Sequence, residues 1–155
     1  MRFLESLTQL CLALWVGGMG GFAMTAPLIF DAFGPERQRA GDLAGNMIWR
    51  LNMVGIILGV VVLLILLPRL RRGIAKLRAL LTAGALAMAL VQAFYIFPQM
   101  DRAQPPQPIE TYAETDPVRV EYNRWHTRSE QVFGTTMLLA AGALLLGPFE
   151  KREGR

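Results

Sequence analysis

The sequence predicts an all-α fold, an antiparallel bundle of four transmembrane helices that forms one domain over residues 1–155. The first observation is composition: 53% of the 155 residues are hydrophobic and 18% are charged, whereas soluble domains have about 25% charged residues. The second is that the charged residues are crowded into short segments. The apolar runs between these segments approach the roughly 20 residues that a helix needs to cross the hydrocarbon core of a bilayer.

Four apolar runs define the predicted helices. The first helix is predicted at residues 4–30, where Cys11 is the one ionisable residue between Leu10 and Phe30. Its apolar run exceeds the roughly 7–15 residues of a secretory signal peptide, so it is expected to be retained. Pro27 is expected to kink or end this helix. The other helices are predicted at residues 47–67, 76–97 and 125–147, and the last of these uses polar residues in its first turns.

The basic residues predict the topology. Nine of the 16 Lys and Arg residues lie in the N-terminus, in the segment 68–78 and in the tail 150–155. Because cytoplasmic segments are enriched in Lys and Arg, both termini and the loop 68–75 are predicted to be cytoplasmic, in an inner or plasma membrane. The Pro-rich loop 98–124 is then outside. Its five prolines predict an extended segment rather than a helix.

Small residues at four-residue spacing predict where the helices meet. Helices in lipid associate largely through close packing of small side chains. The predicted packing positions are Gly17 and Gly21 on the first helix, and Gly55 and Gly59 on the second.

Polar residues within the predicted spans lie mostly in the outer halves. Polar groups inside a membrane are costly and are the default candidates for function. If the small-residue faces turn inward, these side chains line a pocket that opens outside. The predicted polar residues of this pocket are Asn52, Gln92 and Tyr95, and its candidate metal ligands are Met24, Met88, Met137, His126 and Glu130.

His126 leaves three interpretations open. Imidazole with thioethers suits copper, and imidazole with a carboxylate suits zinc or copper(II); His126 and Glu130 are four residues apart and can reach one ion. One histidine and one cysteine are a small ligand set, however. Alternatively, His126 marks the membrane interface and Glu130 complements the helix dipole. A third interpretation is proton-linked transport of a small solute, because histidine titrates near physiological pH.

The preferred prediction is a small non-enzymatic membrane protein, an accessory or structural subunit. It would contact the lipid bilayer and pack against other membrane subunits or its own copies. The sequence has no Ser-His-Asp set, no paired carboxylates on one helix and no nucleotide motif, so an enzyme is not expected. The net charge of +4 is attributed to topology rather than to nucleic acid binding.

Several short runs resemble a known family. The runs LWVGGM at residues 14–19 and APLIF at residues 26–30 resemble the first helix of the domain of unknown function 4149 family, which includes transmembrane protein 205. The run WHTRS at residues 125–129 resembles its histidine before the last helix. The Trp-Val-Gly-Gly piece also resembles the longer copper-resistance D-type membrane proteins. The resemblance implies four helices over nearly the whole chain and no settled activity; the positions it transfers are Trp15, Gly17, Gly18, Pro27 and His126. The last helix here opens with more polar residues than is usual for that family.

Overall fold

Helices make up most of the described residues, 2–70 and 73–153, in the computed structural model of the chain. Side chains are described for residues 3–70 and 73–150. Three of the basic residues used to predict topology, Arg71, Arg72 and Arg155, lie outside the described residues. The helices are α1 Arg2–Phe33, α2 Arg37–Leu66, α3 Gly73–Val91, α4 Phe97–Arg102, α5 Pro117–Leu145 and α6 Gly147–Glu153.

Four helical segments are long and apolar enough to span a membrane. They cover Phe3–Phe33, Arg37–Arg69, Gly73–Arg102 and Pro117–Glu150. In the bundle α1 contacts α2, α2 contacts α3, α3 contacts α5, and α5 contacts α1. This closed antiparallel arrangement confirms the predicted all-α fold class.

The bundle has two chemically different ends. One, here called the loop end, holds the turn between α1 and α2 and the segment 103–116, which is irregular apart from a 3-10 turn at Ile109–Thr111. Gly34 makes the tight turn there, with a φ of 52° that a side chain with a Cβ disfavours. The other, here called the basic end, holds the 3-10 turn Leu67–Arg69 and α6.

All four spanning helices begin earlier than predicted, and the differences are largest at α2 and α5. α2 begins at Arg37 rather than at residue 47, and α5 begins at Pro117 rather than at residue 125. At α5 the reason is a local start signal: the Asp116 carboxylate accepts a hydrogen bond of 2.9 Å from the amide of Val118, and proline is favoured in the first helical turn. Apolar run length therefore underestimates these helices, because their polar turns extend beyond the apolar core.

The predicted effects of proline also differ from the structure. α1 continues through Pro27 to Phe33, so Pro27 does not end the helix. Between α3 and α4 the turn Gln92–Ile96 is a π-helix, in which the amide of Phe97 donates to the carbonyl of Gln92. Pro98 explains this widening, because its ring would clash with the carbonyl of the residue four positions earlier in a regular helix.

Trp15 fills the contact between α1 and α2. Its side chain is buried and lies directly over Gly55 and Gly59. A Cβ added at Gly55 would be 2.1 Å from the indole Nε1, and one added at Gly59 would be 2.9 Å from the indole Cζ3. Both distances are shorter than any ordinary carbon contact, so the glycines allow the ring to lie against the α2 backbone.

Candidate functional site

A layer of buried polar side chains crosses the bundle interior. The amide nitrogen of Asn52 donates to the carbonyl of Ala89 at 2.8 Å, and that of Gln92 donates to the hydroxyl of Ser129 at 2.7 Å. All three side chains belong to residues that are at most 6% exposed. The Gln92 Oε1 atom has no hydrogen-bond partner within the described part of the chain. This layer, Asn52, Gln92 and Ser129, links α2, α3 and α5 away from lipid.

The other predicted pocket residues do not join this layer. Met24 is 80% exposed and Tyr95 is 55% exposed, so both face out of the bundle. The ring of Tyr95 instead packs edge-on against Trp125, with 5.8 Å between centroids. Met88 and Met137 are half-buried, and Met137 packs against the hydrophobic core.

The orientation of α1 explains why the predicted pocket does not form as one cavity. The inward face of α1 is the one that buries Trp15, because a large aromatic side chain gains more from packing than a glycine does. Gly17 and Gly21 therefore face outward, and a Cβ at either would meet nothing within 4 Å. These two glycines make no close helix contact with the described residues, which corrects their predicted role in the bundle interior.

His126 and Glu130 form an exposed pair. The His126 Nε2 and Glu130 Oε1 atoms are 3.3 Å apart, and the two side chains are 49% and 68% exposed. The ring of Tyr122 stacks on His126 with 6.1 Å between centroids. Across residues 2–70 and 73–153, no three His, Cys, Asp or Glu residues come together as a metal site would require. For copper or zinc, this arrangement presents two ligands from one helix on an open surface.

A groove at the loop end is a further candidate site. Its cavity volume is about 950 Å³, and it lies between the end of α1, the first turns of α2, α4 and the first turns of α5. We call it the loop-end groove, and its polar lining residues are Arg37, Gln38, Asp42, Asn46, Asp101, Gln104, Glu110, Tyr122, Asn123 and His126. Its apolar lining residues include Phe30, Trp49, Phe97, Met100 and Ile109.

Acidic groups predominate in the loop-end groove. Asp42, Asp101 and Glu110 contribute three carboxylates, against the single guanidinium of Arg37. Asp42 accepts a 3.4 Å hydrogen bond from the amide of Gln104, which ties the irregular segment to α2. Asp42 and Glu110 both lie near enough to the Tyr122 hydroxyl for their negative charges to act on it.

Sequence reasoning missed most of this groove. Of its lining residues the sequence predicts only His126 as a site residue, and it places residues 37–46 of the α2 wall in the loop before the second predicted helix. A signal existed: Asp42, Gly45, Asn46 and Trp49 are spaced by three and four residues, which places them on one helical face. The polar character of that stretch hid the pattern from a search based on apolar runs.

A buried ion pair at the basic end was also missed. Arg78 is fully buried, and its guanidinium forms a salt bridge and hydrogen bond with the carboxylate of Glu150, which is 3% exposed. The Arg78 Nε also donates to the carbonyl of Ala143 at 3.0 Å. Arg69 reaches the other oxygen of Glu150 at 3.5 Å. The sequence predicts Arg69 in the basic loop, Arg78 in the first turn of the third helix and Glu150 in the tail. Nothing in a single sequence indicates that they meet.

The fold defines an integral membrane protein of the four-helix class, built from helices that lie against lipid on their outer faces. Residues 10–106 match the model of the family described as domain of unknown function 4149, which is more than half of the chain. The protein belongs to this family. The match covers α1 to α4 and ends before α5, so it does not include His126. No curated protein and no solved structure matches the chain, and neither the resemblance to transmembrane protein 205 nor that to copper-resistance D-type proteins is shown.

Proposed function

We propose that this chain is a non-enzymatic accessory subunit that associates with membrane helices through the outward face of α1. A second copy of the chain is the first partner to test. The face has a seven-residue repeat with spacings of four and three, which is the repeat of paired helices. It consists of Leu10, Leu14, Gly17, Gly21, Met24 and Leu28, all of them exposed.

The observation that supports this proposal most directly is the placement of Gly17 and Gly21. Each glycine in a helix costs about 1 kcal/mol relative to alanine, and neither one serves a contact within the chain. Pairs of small residues four apart let two helix backbones approach closely in lipid. Gly55 and Gly59 have the same spacing, but Trp15 already covers them, so α1 has the face that is open to a partner.

The charges support the orientation that we propose for this subunit. Residues 31–49 and 98–131, at the loop end, contain nine acidic and six basic residues. The basic end, in the described residues 2–5, 69–70, 73–78 and 150–153, contains six basic and three acidic residues. Under the positive-inside bias, the basic end and both termini are cytoplasmic, and the loop-end groove opens on the outer side.

Metal handling and proton-linked transport remain weaker proposals. Both depend on His126, whose one ion-pair partner among the described side chains is Glu130. Neither side chain points into the polar layer that crosses the bundle. The outward α1 face involves more residues than this pair, and all six of them are exposed at regular spacing.

The test is disulfide cross-linking in native membranes. In a Cys11→Ala background, Leu14→Cys places a thiol beside Gly17 on the α1 face. Oxidation is expected to give disulfide-linked dimers, and adding Gly17→Leu and Gly21→Leu is expected to abolish them. Leu138→Cys is the matched control, because Leu138 is an exposed α5 residue (70%, against 57% for Leu14).

Association with a different membrane protein requires a second probe. A photoreactive amino acid at position 14 is expected to form a protein adduct that disappears with the two Gly→Leu changes. Equal adducts in the presence of Gly134→Leu exclude a general effect of a larger side chain, because Gly134 also has nothing within 4 Å of its Cβ position. Lipid adducts alone, together with no dimer, would contradict the proposal.

A further inference from the structure

We propose that the loop-end groove binds an organic cation with an apolar body, such as an aryl- or alkyl-ammonium compound. This inference rests on the groove alone and does not depend on the association of α1. A compound of this kind would reach the groove from the membrane surface, with its charge among carboxylates and its apolar part against the aromatic and aliphatic lining.

The first argument is size. Small-molecule sites in proteins have volumes of about 300–1,000 Å³, and the groove has about 950 Å³. It is framed by the end of α1, the helical wall of α2, α4, the first turns of α5, and the segment around Gln104 and Ile109. The hydrogen bond from Gln104 to Asp42 holds that segment across one side of the opening.

The second argument is charge. The lining has three carboxylates and one guanidinium, and Asp42, Asp101 and Glu110 form no ion pair with any residue whose side chain the structure describes. No salt bridge with a described side chain therefore offsets their negative charge. A groove lined by one sign of charge concentrates ligands of the opposite sign.

The third argument distinguishes an organic cation from a metal ion. Asp42, Asp101 and Glu110 surround one cavity, yet no three acidic or histidine side chains in the described ranges approach each other closely enough to ligate an ion. Carboxylates distributed around a large space suit a cation with a diffuse charge and a wide radius.

The aromatic residues provide the remaining recognition. Trp49, Phe97 and Tyr122 line the same groove, and Trp49 is 49% exposed. The face of an aromatic ring attracts ammonium groups electrostatically. Phe30 and Met100 extend the apolar lining, which suits the hydrocarbon part of the ligand.

The test uses benzyltrimethylammonium and the full-length protein in nanodiscs of zwitterionic lipid, with binding measured by titration calorimetry. The wild-type protein is expected to bind the probe saturably. The double change Asp42→Asn and Glu110→Gln is expected to weaken binding at least tenfold. Glu114→Gln is the matched control, because Glu114 is an exposed acid outside the groove lining, and it is expected to leave binding unchanged.

A variant that binds the probe more tightly cannot be misfolded, so a predicted gain of affinity separates an effect of charge from a loss of folding. Arg37→Gln removes the positive charge from the lining and is expected to tighten binding severalfold, whereas Trp49→Leu is expected to weaken it. The proposal is overturned if wild-type protein shows no saturable binding, if the acidic double variant binds as wild type does, or if Arg37→Gln weakens binding.

Discussion

Arg78 and Glu150 are 72 positions apart in the chain and form an ion pair whose side chains are 0% and 3% exposed. This pair joins α3 to α6, and the bond from Arg78 to the carbonyl of Ala143 adds α5 to the same contact. Burial of both charges is costly, and their mutual attraction offsets that cost only while both are present. The pair therefore holds α3, α5 and α6 together at the basic end.

Removing one member of this pair is expected to destabilise the protein strongly. Glu150→Leu leaves the buried Arg78 without its carboxylate, and Arg78→Met leaves Glu150 with only the more distant Arg69. Breaking a buried ion pair costs about 3–5 kcal/mol in known cases. The double variant is expected to lose much less than the sum of the two single changes. Reversible unfolding in mixed micelles measures the three free energies of unfolding.

Arg69→Met serves as the control for that cycle. Arg69 is 10% exposed and 3.5 Å from Glu150, so its removal is expected to cost much less than the removal of Arg78. If the losses of unfolding free energy caused by Arg78→Met and Glu150→Leu were additive in the double variant, the two residues would stabilise the protein independently.

Adding one methyl group is expected to lower the stability of the monomer at the α2 glycines but not at Gly17 of α1. Gly55→Ala and Gly59→Ala force the Trp15 ring away from α2, and overpacking of this kind costs about 1–3 kcal/mol. Gly17→Ala adds its methyl group to open space and is expected to leave the stability of the monomer unchanged or slightly raised. Thermal unfolding of the monomer in detergent compares the three variants.

A compensating change tests whether Trp15 is the cause. Trp15→Phe in the Gly55→Ala background replaces the indole by a smaller phenyl ring and is expected to restore part of the lost stability. If Gly17→Ala destabilised the monomer as much as Gly55→Ala did, the orientation of α1 described above would be incorrect.

The buried pair of Gln92 and Ser129 is expected to show strong coupling. Ser129→Ala leaves the Gln92 side chain with no partner at either amide atom, and a buried unsatisfied polar group costs about 1–3 kcal/mol. Replacing both residues, as Gln92→Leu with Ser129→Ala, removes every polar group of the pair and is expected to be nearer to wild type. A double-mutant cycle on the free energy of unfolding measures the coupling.

Thr135→Ala is the control for this cycle. The exposed Thr135 hydroxyl donates to the carbonyl of Gln131 on its own helix at 2.8 Å. Its loss is therefore expected to change the free energy of unfolding by less than about 0.5 kcal/mol. A coupling energy near zero between Gln92 and Ser129 would contradict the hydrogen bond.

Thiol labelling tests the orientation in the membrane. In a Cys11→Ala background, His126→Cys is at the loop end and Leu70→Cys is at the basic end, and both native side chains are partly exposed. An impermeant maleimide added outside intact cells is expected to label position 126 and not position 70. The positive-inside bias is the physical reason, and labelling of position 70 alone would reverse the orientation.

The sequence alone determined the fold class, because a helix that crosses a bilayer must be long, apolar and internally hydrogen-bonded. These requirements are local, so each span could be recognised from its own residues. The same local logic misplaced the starts of α2 and α5, since it detects the apolar part of a helix and not the polar turns that continue it.

The tertiary structure alone decided which residues face one another. Gly17 and Gly55 both belong to pairs of glycines four residues apart, yet Trp15 covers only the pair on α2, and this turns the α1 glycines outward. Arg78 and Glu150 likewise meet because α6 folds back against α3. Such contacts depend on how each helix is rotated about its own axis and on where the chain folds back against earlier helices. Both are set by the packing of all the helices together rather than by the residue pattern along any one of them.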